Sequence, residues 1–328
     1  MKELYLVTGA AGHLGSAIIR QLKKLNKKVR GLVLQGEKNI PEGIDVFYGD
    51  VTNKDSLKGF FEVSDSELIV IHCAGIVSIA SKYSQLMYDV NVNGTKNIVD
   101  LCIDKNVKKL IYVSSVHAIP EKPKGEIIYE TKDFNPDEVK GNYAKTKAEA
   151  TKHVLESSKF LNLSIVHPSG ICGPYDFGRG HVTTLVRDYY KGTLIAGTKG
   201  GYDFVDVRDV AKGIISCINK GKNGECYILS NKYYTVRQIL NMLHEITEKK
   251  KINSFIPLWF IKITAPIAEL YYKILKQPPL YTPYSIYTLN TNSIFSHDKA
   301  TRDLGYTTRD MKKTLEDTVK WLKEKRII

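Results

Sequence analysis

The chain has 328 residues, of which 43% are hydrophobic and 25% are charged, and its formal net charge is +13. This length and apolar content exclude an intrinsically disordered chain. The lysines are spread along the sequence rather than clustered, so we expect a solvated basic surface and no nucleic-acid partner.

Short apolar runs alternate with amphipathic stretches through the first half of the sequence. The apolar runs predict strands at residues 4–7, 29–34, 46–48, 68–71, 110–113 and 163–166. The apolar spacing predicts helices over 14–25, through Val90, Ile98 and Leu101, and over 143–156. Strands of nearly continuous Val, Ile and Leu that alternate with helices are typical of a parallel sheet covered on both faces. The sequence therefore predicts the doubly wound α/β fold class.

A glycine-rich loop lies between the first predicted strand and the first predicted helix. Its glycines, Gly9, Gly12 and Gly15, are spaced three apart. Such a loop lets the backbone approach a pyrophosphate, while the helix N-terminus supplies N–H groups and the positive end of its dipole. An ordinary strand-to-helix turn is the alternative, but the position after an apolar strand favours a dinucleotide site. The loop residues expected to contact the cofactor are Gly9, Ala11, Gly12, His13, Leu14 and Gly15.

Further candidates for cofactor contacts follow the third and fourth strands. Asp50 can accept a hydrogen bond from an adenine amino group, while Val51 packs against the ring. Cys73, Ala74 and Gly75 end the fourth strand, where small residues allow the cofactor to pass closely.

Two polar residues near these positions have different interpretations. We interpret His72 as a core histidine whose hydrogen bonds are satisfied. Asn91, on the helix that follows, is expected to hold a water or a backbone group near the reacting centre; a surface asparagine is the alternative.

A serine, a tyrosine and a lysine together predict acid–base chemistry. Tyr143 and Lys147 are four residues apart and therefore share one helix face. A phenol has a pKa near 10, and a neighbouring ammonium is expected to lower it toward neutral pH. The fifth strand ends at Ser114 and Ser115, at the sheet edge where open α/β folds bind ligands. We assign the substrate-binding hydroxyl to Ser115, with Ser114 as the alternative and as a cofactor contact.

Beyond Pro168, glycine-rich turns and proline-bounded segments replace the regular alternation. We predict that residues 1–175 form a dinucleotide-binding domain to which 204–230 returns, with 204–218 rejoining the main sheet. Residues 176–203 and 231–328 then form mainly a smaller, interleaved substrate-binding lobe.

The cysteines and the absence of targeting signals favour a cytoplasmic location. No two cysteines form a CxxC pair or a metal-like spacing, so we expect free thiols in a reducing compartment and no metal site. Because Met1 leads almost directly into a strand, we expect no signal peptide. The apolar segment 255–275 contains Lys262, Glu269 and Lys273, and it does not qualify as a membrane-spanning helix, which needs about 20 mostly uncharged residues.

In these motifs the chain resembles the extended short-chain dehydrogenase/reductase superfamily. Near its end, residues 295–300, 304–306 and 318–321 resemble the tail shared by the 3β-hydroxysteroid dehydrogenase-like and dihydroflavonol reductase-like branch. The resemblance implies a Rossmann fold, a nicotinamide cofactor and a homodimer. It also implies that Tyr143 is the general acid/base, that Lys147 activates Tyr143 and holds the ribose, and that Ser115 orients the substrate oxygen. The chain departs from the family where His167 replaces a common Arg and Gly75 a common Ala. The matching motifs are residues 8–15, 49–51, 72–75, 91–95, 113–115, Tyr143 with Lys147, and 167–170. The resemblance implies that Pro168, Ser169 and Gly170 of the last motif face the carboxamide of the nicotinamide.

The resemblance implies oxidation or reduction at a ring carbon of an apolar alcohol or ketone that is hydroxysteroid-like or flavonoid-like. The bulky residues of 255–275 are interpreted as lobe core, as a cleft wall or as a peripheral membrane contact. A nucleotide-sugar epimerase is the alternative function, but Gly201 and Tyr202 stand where such enzymes usually have an Arg. Dehydration is disfavoured because Val116 and His117 follow Ser115 in place of an Asp–Glu pair.

The second strand carries the prediction of cofactor choice. An acidic residue at its tip would bind the ribose hydroxyls of NAD and repel a 2′-phosphate. Leu34 occupies the tip, and Lys38 and Arg30 are cations that can meet a 2′-phosphate, while Glu37 keeps NAD(H) as the alternative. We therefore favour NADP(H).

Overall fold

The computed structural model describes residues 2–78, 83–178, 180–257 and 283–328. Its centre is a seven-stranded parallel sheet in the order β10-β6-β5-β4-β1-β2-β3, which confirms the predicted doubly wound α/β class. The strands are β1 Lys2–Thr8, β2 Lys28–Val33, β3 Asp45–Tyr48, β4 Ser66–His72, β5 Lys109–Val113, β6 Leu163–Pro168, β7 Gly170–Cys172, β8 Gly197–Thr198, β9 Gly201–Asp206, β10 Glu225–Leu229, β11 Lys232–Thr235 and β12 Phe255–Ile256.

Helices cover both faces of the main sheet because its strands are apolar on both sides. One core contains residues of α3 and α4, including Ile98 and Val154, and the other contains residues of α1 and α6, including Ile18 and Ile214. The helices are α1 His13–Lys24, α2 Gln85–Tyr88, α3 Gly94–Asp104, α4 Asn142–Glu156, α5 His181–Lys191, α6 Val207–Lys220, α7 Val236–Thr247, α8 Pro283–Asn290, α9 Asp298–Leu304 and α10 Met311–Glu324.

Residues 204–218, which were predicted to rejoin the main sheet, divide between two parts of the fold. Within that range α6 packs against the main sheet, but strand β9 pairs with β7 and β11 in a separate three-stranded sheet. The strand that joins the main sheet is β10, beside β6. Gly201 permits the pairing of β9 with β11, because a Cβ there would lie 2.3 Å from the carbonyl oxygen of Tyr234.

Most of the apolar segment considered for membrane contact, residues 258–275, lies outside the described residues. In the part of the chain that the structure describes, no helix has the length and apolar character needed to cross a bilayer.

The order of the strands positions the functional residues. β6, β5, β4 and β1 are neighbours in the sheet, and all run in the same direction. The residues that follow these four strands therefore meet at one edge, as ligand-binding residues do in open α/β sheets.

Candidate active site

The glycine loop packs directly against the end of β4. Gly9 has a φ of +66°, and a Cβ on it would lie 2.9 Å from the backbone nitrogen of Ala74. A Cβ on Gly15 would lie 2.2 Å from the carbonyl oxygen of Gly9. Thr8 Oγ1 accepts hydrogen bonds from the backbone N–H groups of Cys73 and Ala74, at 3.1 and 3.0 Å. This close approach requires glycine at positions 9 and 15.

The open side of the loop fits the pyrophosphate of a dinucleotide. Ala11, Gly12, His13 and Leu14 are partly or fully exposed. Helix α1 begins without a side-chain cap and without an acidic residue in its first turn, so its N-terminal N–H groups are available to an anion. The His13 ring is directed to the turn after β7, with Nε2 3.0 Å from the carbonyl oxygen of Pro174.

The residues expected at the adenosine end of the cofactor follow β3 and β2. Asp50 Oδ1 accepts a hydrogen bond from the Thr52 N–H at 2.9 Å, and Val51 is buried in the core beside Gly94. Leu34 and Lys38 are both exposed beyond β2.

Arg30 does not support the expected phosphate contact. Its Nε donates to Asp45 Oδ2 at 2.5 Å, and its Nη1 donates to the carbonyl oxygens of Gly59, Phe60 and Glu62. The guanidinium is therefore hydrogen-bonded to β3 and to the end of the 3₁₀ helix Lys54–Phe60. Of the two cations predicted to meet a 2′-phosphate, only Lys38 is left as a candidate.

Ser115 and Tyr143 meet at the carboxyl end of β5. The Ser115 side chain interacts with the Tyr143 phenol and lowers its pKa in part, and Ser115 Oγ accepts a hydrogen bond from the N–H of His117 at 3.2 Å. Ser114 Oγ instead lies 2.6 Å from Thr151 Oγ1 within the core. The structure therefore places Ser115, and not the alternative Ser114, beside the tyrosine.

The expected lowering of the Tyr143 pKa is wrong for this structure. Burial of the phenol raises its pKa to about 12, although the Ser115 side chain lowers it in part. The spacing of Tyr143 and Lys147 does place them on one helix, but the loss of solvent around the phenol is the largest influence on the Tyr143 pKa. At neutral pH Tyr143 is therefore protonated and able to donate.

Lys147 is buried and is held by the backbone of β5. Its Nζ donates to the Val113 carbonyl oxygen at 2.9 Å, and burial lowers its pKa to about 8. Gly75 borders this side chain: a Cβ there would lie 3.5 Å from Lys147 Nζ and 3.2 Å from Asn91 Oδ1. The second distance is tight, so a side chain at position 75 would require Asn91 to shift by a few tenths of an ångström.

Asn91 fixes the loop that follows Gly75. Its Oδ1 accepts from the Ile76 N–H at 2.8 Å, and its Nδ2 donates to the Ile76 carbonyl at 3.0 Å and to Thr146 Oγ1 at 3.1 Å. Asn91 lies in a π-helical turn, Asp89–Asn93, which is a feature frequent at functional sites. The expected bond to a backbone group is confirmed, and the contact with Thr146 also ties the loop to helix α4.

The two buried histidines next to the site have structural partners. His72 bridges β1 and α3, with Nδ1 2.7 Å from Thr8 Oγ1 and Nε2 3.1 Å from Thr95 Oγ1, which confirms its interpretation as a core histidine. His167 Nδ1 lies 3.0 Å from the Ser115 carbonyl oxygen, so this histidine contacts the backbone of Ser115.

Ser169 has a buried acidic partner that the sequence reasoning missed. Ser169 Oγ donates to Asp203 Oδ1, which also accepts from the Asn231 N–H at 3.0 Å. Burial raises the pKa of Asp203 to about 6. Pro168 ends β6, and a Cβ on Gly170 would lie 2.8 Å from the Asp203 carbonyl oxygen. The sequence around Asp203 indicates only a strand, and it does not reveal that Asp203 contacts Ser169, which is 34 residues away.

Comparison with known proteins gives results that agree with this geometry. The model of the NAD-dependent epimerase/dehydratase family matches residues 5–230. The chain is 30% identical to sterol demethylase protein B of Methylococcus capsulatus, over 98% of this chain and 99% of that protein. It is 28% identical to 3 beta-hydroxysteroid dehydrogenase type 7 of Mus musculus, over 92% of this chain and 90% of that protein. The structure of UDP-glucose 4-epimerase from Thermotoga maritima matches with a TM-score of 0.81 at 21% identity, covering 98% of this chain and 99% of the other, and so shares the fold.

Proposed function

Because this chain belongs to the NAD-dependent epimerase/dehydratase family of extended short-chain dehydrogenases/reductases, and to its hydroxysteroid dehydrogenase-like and dihydroflavonol reductase-like branch, we propose that it interconverts a secondary alcohol and a ketone on an apolar ring substrate. The observation that carries this proposal is the convergence of Ser115, Tyr143 and Lys147 next to the glycine loop. NAD(P) is the cofactor of this oxidoreductase family, and when bound it would supply or accept the hydride.

The protein residues have separate tasks in this reaction. In reduction, the hydroxyls of Ser115 and Tyr143 hold the ketone oxygen, and Tyr143 donates its proton to that oxygen. In oxidation, Tyr143 accepts the alcohol proton. The charge of Lys147 favours the phenolate that forms when the proton leaves, and the residue is placed to hold a ribose hydroxyl.

An apolar substrate is supported by the side chains beside Tyr143. His117 contacts the tyrosine ring edge to face, and Tyr202 stacks on His117. Phe204 and Phe295 contact Tyr202 in turn, with centroids 6.0 and 6.4 Å from it. Aromatic surfaces of this kind suit a flat, apolar ring system. The names of the relatives that carry "sterol" or "hydroxysteroid" point to the same substrate class.

Tyr143→Phe tests the proposal directly. The wild type is screened with NADH and NADPH against a panel of hydroxysteroids, flavonoid ketones and simple carbonyls. On any substrate that is turned over, we expect Tyr143→Phe to lower kcat by about 10²–10⁴-fold, because the proton donor is lost. Cofactor binding, followed by nucleotide fluorescence, should be retained. Full turnover by the variant would contradict the assignment.

We favour NADP(H) over NAD(H) because Lys38 is exposed beyond β2, where the ribose phosphate of NADP(H) is expected. We expect a higher kcat/KM with NADPH than with NADH, and we expect Lys38→Ala to reduce only the NADPH value. Lys28→Ala, an exposed lysine at the start of β2, is the control and should change neither value. A higher value with NADH that Lys38→Ala leaves unchanged would contradict the preference.

Nucleotide-sugar epimerization is the alternative that shares the same three catalytic residues. Tyr202 occupies the position where such enzymes usually carry a diphosphate-binding Arg, and its hydroxyl lies 3.1 Å from His117 Nε2. Tight calorimetric binding of UDP-glucose, together with no binding of sterols or aromatic ketones, would favour this alternative.

A further inference from the structure

His117 lies two residues beyond Ser115, on the 3₁₀ helix Val116–Ala118, and its ring borders the tyrosine of the active site. The centroids of the His117 and Tyr143 rings are 5.8 Å apart, with an interplanar angle of 73°. This edge-to-face contact is a favoured arrangement for aromatic pairs, and it limits how far the phenol can tilt.

Tyr202 of β9 holds the other side of His117. The two rings stack with centroids 5.7 Å apart at 15°, and the Tyr202 hydroxyl lies 3.1 Å from His117 Nε2. The backbone beneath Tyr202 is also closely packed, because a Cβ on Gly170 would lie 2.9 Å from Tyr202 Cδ1. The small sheet thereby supports His117, and through it Tyr143.

His117 acts through its position and not through a charge. Burial lowers its pKa to about 4, so the imidazole is neutral at physiological pH. A neutral imidazole has one acceptor nitrogen, which suits a hydrogen bond donated by the Tyr202 hydroxyl.

We propose that His117 and Tyr202 form a positioning pair that fixes the ring of Tyr143, so that its hydroxyl meets both Ser115 and the substrate oxygen. The inference rests on the proposed function, in which Tyr143 transfers the proton. Small displacements of a reacting group lower the rate strongly, and a hydrogen-bonded, stacked support is one means of preventing them.

Steady-state kinetics on the full chain, with a substrate found in the panel, test the pair. Tyr202→Phe removes only the hydroxyl, and His117→Phe keeps a ring but removes Nε2. We expect each to lower kcat about tenfold and to leave the KM values of cofactor and substrate within about twofold. Because both changes remove the same hydrogen bond, the double variant should be no slower than the slower single variant. Tyr233→Phe, an exposed tyrosine on β11, is the matched control and should keep the wild-type kcat.

A second measurement is independent of turnover. With 3-fluorotyrosine in place of Tyr143, we expect one narrow fluorine NMR signal, which broadens or splits when Tyr202→Phe or His117→Phe is added. An unchanged signal, kcat losses that multiply in the double variant, or a change confined to the substrate KM would overturn the positioning role. If the wild type turned over no alcohol or ketone, the proposed function would fail, whereas the fluorine signal would still decide whether the pair positions Tyr143.

Discussion

At the scale of single residues, Lys147 shows a conflict between function and stability. It is buried, and no carboxylate in the described part of the chain forms an ion pair with it. Burial lowers its pKa to about 8, which means that the folded state disfavours the charge. Removing the buried charge should stabilise the folded state by about 1.4 kcal/mol per unit of pKa shift, and losing the hydrogen bond to Val113 offsets part of this gain. We therefore expect Lys147→Met to be about 2 kcal/mol more stable than the wild type at pH 7. Its turnover should be lost.

The pH dependence of this difference provides the check. The lysine pKa is lower in the folded state than in the unfolded state, so the wild type gains stability as the pH rises from about 8 toward 10.5. Lys147→Met lacks this gain, and its advantage should therefore shrink across that range. Urea unfolding of both proteins at pH 7 and pH 10 measures the difference. A variant that is less stable at both pH values would contradict the explanation.

At the scale of elements, the π-helical turn Asp89–Asn93 connects the loop after β4 to helix α4. Asn91→Ala removes three hydrogen bonds and leaves the backbone N–H and carbonyl of the partly buried Ile76 without their Asn91 partner. We expect a loss of about 3 kcal/mol in the free energy of unfolding, together with a lower kcat, because Thr146 lies one residue from Lys147. Asn93→Ala, in the same turn but exposed and bonded to Asp89, should cost less than about 1 kcal/mol. Equal losses in the two variants, measured by urea unfolding, would refute this role.

The sequence predicts the main elements well and their local distortions poorly. The strand predicted at 110–113 is Lys109–Val113, and the helix predicted at 143–156 is Asn142–Glu156, because continuous or periodic apolar residues determine both. The π-helical turn has the same apolar spacing as an α-helix, so the pattern does not distinguish it. The pKa of Tyr143 was also beyond the sequence, because it depends on burial by residues from several strands.

At the scale of the whole molecule, ion pairs join the C-terminal segment to helix α6. Arg309 donates hydrogen bonds to the carboxylate of the buried Asp209 from its backbone N–H, its Nε and its Nη2, at 2.6–3.1 Å. Arg208 bridges Asp206 and Asp317 of α10, at 2.7 Å each. The contacts with Asp209 and Asp317 link residues 100 or more positions apart, which explains why spacing in the sequence did not predict them.

Arg309→Met should destabilise the whole fold because it leaves Asp209 buried without its cation. Breaking such a pair typically costs about 3–5 kcal/mol, and we expect a loss in that range by urea unfolding. Arg302→Met removes a pair with Asp303 whose arginine is largely exposed, and it should change the stability by less than about 1 kcal/mol. If Arg309→Met were as stable as the control, the network would not hold the C-terminal segment in place.

The place of β1 within the sheet also has a consequence for how the protein is synthesised. β1 lies between β2 and β4, so one of its edges stays unpaired until β4, which ends at His72, has left the ribosome. At roughly 5–20 residues per second, the nascent chain exposes an apolar strand edge for several seconds. The edge of β6 waits longer still, for β10, which ends at Leu229. We therefore expect the yield of the protein in cells to depend on chaperones that bind nascent chains more than on the stability of the finished fold.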